Sequence, residues 1–415
     1  MPPAGIFPDR RRGRAMRRGL VLGPFLGMLW TLVMATSVAI VFSFATGNAA
    51  RPGLWGSLLL GAVCGGLALW PMPRLAKLAC GVLIAFGSGL ISGAVVLGDG
   101  VAPARHALVA LVLGLAVTGP LMAMLAGIGR GALSRHEAER AVIRFLTGFG
   151  YVFFTAIVAI PFYVMVMTSL KSQQELLANP LDFSIDLSRG LDLFRSYKEL
   201  FRDFHFGRYM WTSFYVSVLT VLITLAFSIP GAYAVARLRF RGRAVLARSI
   251  LLIYMVPMIV LALPIYIAFS LTGLRNSIVG IVMIYPVTTI PVALYMLQGY
   301  FRGLPGEVEE AGLMDGLNRL QVIWKITLPL SLPALASVSL YVFMIAWNEF
   351  LLAFMLLDDP AKFTLTRGVT MLNSSEIPRQ HLMAGAVIAT VPIMVLFLGL
   401  EKFMTRGLTA GSVKG

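Results

Sequence analysis

Ten apolar stretches follow one another along this chain, at 20–46, 54–70, 75–97, 107–128, 145–170, 209–236, 249–271, 278–300, 333–357 and 383–403. A peptide group left unpaired in hydrocarbon is costly, so a run of about 20 apolar residues is stable there only as a helix that satisfies its own backbone. That rule overrides the many Gly, Pro and β-branched residues within the runs. The chain therefore reads as an all-α polytopic membrane protein with about ten transmembrane helices.

Composition closes the alternatives. Of 415 residues 58% are hydrophobic and only 13% charged, about half the charged share of a soluble domain. So little charge cannot cover a water-soluble globule of this size, which excludes a soluble enzyme. The N-terminal RRRGRAMRR followed by an apolar run resembles a secretory signal, but the run exceeds the roughly 7 to 15 residues of a signal core and reads as a retained span. Cys64 and Cys80 lie in apolar surroundings without metal-ligand spacing, and His106, His136, His205 and His381 are dispersed, so no metal site is expected.

The net charge of +16 would suggest a nucleic-acid partner in a soluble chain; here it is a topology signal, and no nucleic acid is expected. With ten spans and a cytoplasmic N-terminus, about two thirds of the 35 basic residues fall in cytoplasmic segments. The long outer loop from Lys171 to Arg208 carries its basic residues against an equal number of acids. Both termini are thus expected in the cytoplasm.

The blocks differ in character. Residues 1–140 hold four tightly spaced spans rich in Gly, Ala and Leu. A first core span and a long periplasmic loop follow at 141–208. A six-span core is completed by 209–404, and a cytoplasmic tail by 405–415.

The stretch GLPGEVEEAGLMDGLNRLQVIWKITLPLSLPAL after the eighth run is too patterned for a connector. Pro305 suits a first helical turn, and Glu307, Glu309 and Glu310 complement the positive end of the helix dipole. Gly316 is placed to end the helix in a left-handed conformation, Asn318 to cap a second helix and Pro329 to stop it before the next span. A helical hairpin at 305–329 with acids and exposed Ala, Met and Ile suits a groove on another protein better than a lipid surface, which favours basic faces.

The spacing Glu310, Ala311, Gly316, Ile326, Leu328, Pro329 resembles the EAA signature of binding-protein-dependent ABC importer permeases. Gly312 stands where that pattern has a second alanine, at a cost of up to about 1 kcal/mol in helix propensity. TSLK at 168–171, GAYAVARLRFRGR at 231–243, the prolines of YMVPMIVLALPIY, AWNEF at 346–350 and the terminal TAGSVKG are similar to the carbohydrate-uptake branch, which includes the smaller membrane subunit of the maltose transporter. The resemblance covers roughly 140–415 and leaves the first four spans as an addition.

The resemblance implies a non-catalytic permease subunit of an ATP-driven sugar importer in the bacterial inner membrane. Its coupling surface would be Glu309, Glu310, Ala311, Gly312, Asp315, Gly316, Ile326, Leu328 and Pro329, docked on a dimer of ATPase subunits. Because the chain has no G-x-x-x-x-G-K-[ST] loop, it would bind no cofactor, with ATP and Mg on those subunits. A second permease subunit would complete the cavity, and a solute-binding protein would land on the 171–208 loop and on 358–381. Tyr254, Tyr266, Tyr285, Tyr295, Trp347, Asn348 and Glu349 are the candidates for the substrate pathway, with Glu349 read as the one acid inside a span. The competing readings are a permease for a polyol or glycerol phosphodiester, an ATP-independent carrier, for which no buried ion-coupling cluster is visible, and a membrane-embedded enzyme.

Overall fold

The computed structural model describes residues 18–409 except 92, 99, 180, 181 and 183, without the side chains of 90, 91, 251, 253, 254 and 401–409. All of the RRRGRAMRR cluster but Arg18, and the GSVKG tail, lie outside the described residues. The chain divides into two compact units, residues 1–193 and 194–415.

The first unit contains α1 (Gly19–Thr46), α2 (Leu54–Ala68), α3 (Arg74–Ile91), α4 (Pro103–Met124), α5 (Arg135–Ser169) and the short α6 (Gln173–Ala178). The helix expected to open the permease core, α5, packs here against α1 and α4. Helices α1 and α2 meet backbone to backbone. A methyl group at Gly27 would run into the Gly61 carbonyl, and one at Gly65 into the Gly23 carbonyl. Small residues four apart on facing helices permit that approach. The buried Trp30 fills the adjoining core and donates its indole N–H to the Ala116 carbonyl at 3.1 Å.

The all-α expectation needs one small correction: β1 (Ala50–Pro52) and β2 (Val95–Leu97) form a two-stranded antiparallel pair. Run 75–97 is accordingly not one helix. It stops at Ile91, Gly93 takes a φ of +45°, and the β-branched Val95 and Val96 pair as a strand.

The basic residues counted above as topology signals also satisfy helix ends. Lys77 Nζ donates to the Ala68 carbonyl at 2.6 Å, Arg130 Nε to Leu69 at 3.3 Å and Arg144 to Ala126 at 2.7 Å. Each cation thus sits on carbonyls that a helix C-terminus leaves unpaired, where the helix dipole also favours it. In the loop that begins at Lys171 the buried Lys171 of TSLK bonds the Asp182 carbonyl, and Arg189 pairs with Glu175 at 2.9 Å.

The second unit contains α7 (Arg195–Arg202), α8 (Phe206–Arg237), α9 (Arg243–Tyr254), α10 (Met258–Leu271), α11 (Ile278–Gly303), α12 (Gly306–Met314), α13 (Arg319–Val322), α14 (Leu328–Leu330), α15 (Leu332–Asn348), α16 (Leu351–Leu356), α17 (Leu365–Met371) and α18 (Arg379–Thr409). Helix α8 is its centre and packs on α11 and α15. Its buried face is lined by hydroxyls: Thr224 bonds Thr289 at 2.6 Å, and Ser228 donates to the Ile290 carbonyl at 3.5 Å.

Two runs read as single spans are broken. Pro257, which lacks an N–H, divides 249–271 into α9 and α10. At Glu349 the chain leaves helical geometry (ψ 124°) and divides 333–357 into α15 and α16.

Among the described residues six helices are long and apolar enough to cross a membrane: α1, α4, α5, α8, α11 and, over Arg379–Leu400, α18. The segments Arg319–Leu330 and Leu332–Asn348, bent by 83°, make a seventh if they form one span. Helices α2, with 15 residues, and α10, with 14, are shorter.

Candidate functional site

The patterned stretch folds as the hairpin its sequence predicts. Pro305 is the N-cap of α12 rather than its first helical residue. At the other end Gly316 has φ +86°, its N–H bonds the Leu313 carbonyl at 3.1 Å and the Leu317 N–H bonds Gly312 at 3.1 Å. This double closure ends a helix with a left-handed residue, which glycine adopts without steric cost. Asn318 then caps α13 in a reciprocal box with Gln321, the two bonds measuring 2.8 and 2.9 Å.

The stop lies elsewhere than expected. Pro329 sits inside α14, and the chain breaks two residues later at Ser331. Between α13 and α14, residues Ile323–Thr327 form a π turn closed by the Leu328 N–H on the Ile323 carbonyl. A proline has no N–H to return to the residue four before it, and the wider turn accommodates that missing bond.

The hairpin has two faces. Outward are Glu310, Ala311, Asp315, Gly316 and Pro329, together with Met314, Leu320 and Trp324, at 87%, 67% and 71% exposure. Ile326 and Leu328 are half-buried.

Glu309 and Gly312, placed on the coupling surface from sequence, point inward instead. Glu309 is 5% exposed and accepts hydrogen bonds from Tyr233 and Thr327, each at 3.2 Å, with Arg237 Nε at 3.3 Å. Two hydroxyl donors and the adjacent guanidinium charge compensate a carboxylate that burial alone would disfavour. Gly312 is covered by Ile326, whose Cδ1 occupies the space an alanine methyl would take. The departure from the EAA pattern is thus matched by local packing. The RFRGR segment serves the same end of the fold, where Arg243 donates to the Val235 and Ala236 carbonyls at 2.7 and 2.9 Å.

Of the pathway candidates, the Tyr254 side chain lies outside the described residues. Tyr285 and Trp347 belong to the main core of the second unit; Trp347 stacks on Phe343 and donates to the Ala389 carbonyl at 3.0 Å. Tyr266 lies under the Arg275 guanidinium at 4.8 Å, Tyr295 is half exposed, and Asn348 bonds its own helix at Met344. Glu349 is not inside a helical span. Its carboxylate accepts the N–H groups of Leu352 and Ala353 at 2.8 and 3.1 Å and so caps α16, with Tyr285 facing it. The structure therefore buries Tyr285 in the core near Glu349 and assigns Trp347 to packing.

The 358–381 segment is built as a small ordered platform. Asn276, at φ +52°, accepts the N–H groups of Asp358 and Asp359 on its side-chain oxygen, and Arg275 pairs with Asp358 at 2.7 Å. Arg367 lies 4.5 Å from the Phe354 ring and 4.6 Å from the Phe363 ring. His381 Nε2 is 2.7 Å from Glu199 Oε2, tying the start of α18 to α7. Arg195, and then His381, hold the Glu199 carboxyl below the ordinary carboxylate range.

Residues 228–409, which include the whole hairpin, match the family described as binding-protein-dependent transport system inner membrane component. The chain is 36% identical over 270 residues to the inner membrane ABC transporter permease protein YcjP of Escherichia coli, covering 64% of this chain and 95% of that protein. The chain belongs to this family. The permease is also 32% identical over 281 residues to the trehalose/maltose transport system permease protein MalG of Thermococcus litoralis, covering 67% of this chain and 99% of MalG. Against SugB, the trehalose transport system permease of Mycobacterium tuberculosis, it is 34% identical over 225 residues, covering 54% of this chain and 82% of that protein. Its fold resembles a chain in the crystal structure of a bacterial ABC transporter involved in the import of the acidic polysaccharide alginate. There the TM-score is 0.55 at 23% identity, over 65% of this chain and 98% of that one. Between a third and nearly half of the permease lies outside these likenesses.

The buried anchor of the hairpin was missed in the sequence. Tyr233 and Arg237 lie in the GAYAVAR segment four residues apart, a spacing that places both on one helix face, but nothing in the spacing shows that Glu309 returns to that face. Trp324 did carry a signal, as a large aromatic residue beside Lys325 in the hairpin's second arm.

Proposed function

We propose that this chain is the membrane subunit of an ATP-driven importer that carries a mono- or oligosaccharide across the inner membrane, and that its 305–329 hairpin is the surface met by the motor. The observation that carries the reading is the outward face of the hairpin. Met314, Leu320 and Trp324 stand exposed beside Glu310 and Asp315 on a turn fixed by Gly316. An apolar ridge bordered by acids, on a rigid support, suits a protein groove. Sugar as cargo is supported by the trehalose and maltose relatives.

On this reading ATP and Mg bind the ATPase dimer and not this chain. A second permease subunit shares the cavity, and a solute-binding protein approaches the 171–208 loop and the 358–381 platform. Shorter and broken helices would complete ten crossings with both termini in the cytoplasm, and the added N-terminal block would be a packing module.

Gly316→Val tests the docking surface. A β-branched residue at φ +86° is strained by about 1–3 kcal/mol. The expected result is normal membrane insertion with loss of ATPase copurification and of uptake. Unchanged assembly and unchanged uptake would exclude the hairpin as the docking element.

A further inference from the structure

The outward face of the hairpin accounts for docking but not for how a push on it reaches the membrane. A helix resting on apolar contacts alone can slide. Here the inward face is fastened at one point to three other elements. The Glu309 carboxylate accepts Tyr233 and pairs with Arg237 from the last turns of α8, and accepts Thr327 from the π turn that leads to α15. Arg237 also donates to the Leu304 carbonyl, just past the end of α11, at 2.6 Å. Both side chains of the pair are largely buried, Arg237 at 16% and Glu309 at 6% exposure.

A buried ion pair of this kind adds little net stability over well-packed apolar residues; direction comes from the hydrogen bonds around it, Tyr233 and Thr327 onto the Glu309 carboxylate and Arg237 onto the Leu304 carbonyl. The clasp lies where α8, α11, α12 and the approach to α15 converge. Above it, α8 and α11 are joined through Thr224 and Thr289. A displacement of α12 therefore draws the ends of α8 and α11 with it. We propose that Glu309 and Arg237 form a positioning pair that makes movement of the hairpin obligatory movement of α8 and α11, a role separate from contact with the ATPase. The proposal rests on the transport reading above.

The test uses the complete transporter, with second permease chain and ATPase, in nanodiscs, with Cys64 and Cys80 replaced by alanine. Nitroxide labels go on Trp211→Cys and Leu271→Cys, exposed positions toward the outer ends of α8 and α10, and their separation is measured with and without MgATP and vanadate. In the otherwise unaltered chain the nucleotide shifts the distance distribution. In Arg237→Met and Glu309→Gln the shifted fraction should fall by about tenfold while the ATPase still copurifies, Arg237→Lys should keep part of it, and the double variant should be no worse than the poorer single one. A full shift in Arg237→Met, or additive losses, would overturn the clasp. Loss of ATPase copurification in these variants would also overturn it, since the pair would then merely hold the docking surface in shape. No shift in the unaltered complex would instead count against the transport reading itself.

Discussion

In residues 18–193 helices α1 and α2 meet through their backbones, whereas in residues 194–409 helix α8 meets α11 through hydroxyls and α12 through a buried ion pair. Gly23 and Gly27 face Gly61 and Gly65 with no room for a methyl group. On α8, by contrast, Ser213, Ser217, Thr220, Thr224 and Ser228 are all buried. A glycine-to-carbonyl contact has one seat and no substitute, because any displacement along the helix brings a side chain into the gap. A hydroxyl has a donor and two lone pairs and finds a new partner after a small shift. The first arrangement suits a block that keeps its shape, the second a bundle that must repack during a transport cycle.

The largest expected effect comes from filling the glycine seam. Gly61→Leu forces a side chain into the Gly27 carbonyl, an overpacking with no flexible atom to yield, and should destabilise the first unit by about 3 kcal/mol or more. Protease sensitivity of the 18–134 region in membranes reads this directly. Wild-type resistance would show that α1 and α2 separate without consequence and would remove the contrast between the units.

A smaller effect is expected across the polar seam. Thr224→Val and Thr289→Val each keep the shape and remove the bond between them, and such bonds in membrane helices are worth about 0.5–1.5 kcal/mol. The double variant should be close to either single one in thermal unfolding, since either substitution removes the bond between the helices and Thr289 has otherwise only its own helix's Tyr285 and Pro286 carbonyls at 3.4 Å. A double variant whose loss equals the sum of the singles would mean that each has an independent partner.

How much of this was legible beforehand depends on the kind of interaction. The hairpin could be read because Gly316, Asn318 and Gln321 act within a few residues of one another, so their geometry is local. The long helices could be read because hydrocarbon leaves the backbone no other choice. Glu309 could not, because its facing was decided by Tyr233 and Arg237, which lie some 70 residues earlier in the chain, and its neighbour Glu310, of the same type, points to solvent. Glu349 was misplaced for a related reason. Hydropathy runs on through AWNEFLLAF, and the helix break appears only when the carboxylate is seen capping α16. The glycine seam was present at 23, 27, 61 and 65, but a spacing of four becomes a contact only once the two helices are known to be partners.

The smallest expected effect is where a partly exposed bond, rather than a seam, joins α7 to α18. Glu199 accepts Arg195 at 2.7 Å and meets His381 at 2.7 Å, and its carboxyl is held below the ordinary range, first by Arg195 and then by His381. A carboxyl depressed in the folded state contributes stability above its unfolded pKa and loses it as the pH falls through the folded value. The hold of α7 should therefore be complete at neutral pH and weaken as the medium is acidified through and below the ordinary carboxylate range. Hydrogen exchange of the 195–202 amides, corrected for intrinsic rates, should accelerate across that window in the unaltered permease. In Glu199→Gln the amides should exchange faster at neutral pH with no further acid-dependent rise. If Glu199→Gln retains the acid response, another carboxyl controls the joint, and the 358–381 platform is fastened by packing in the manner of the first unit.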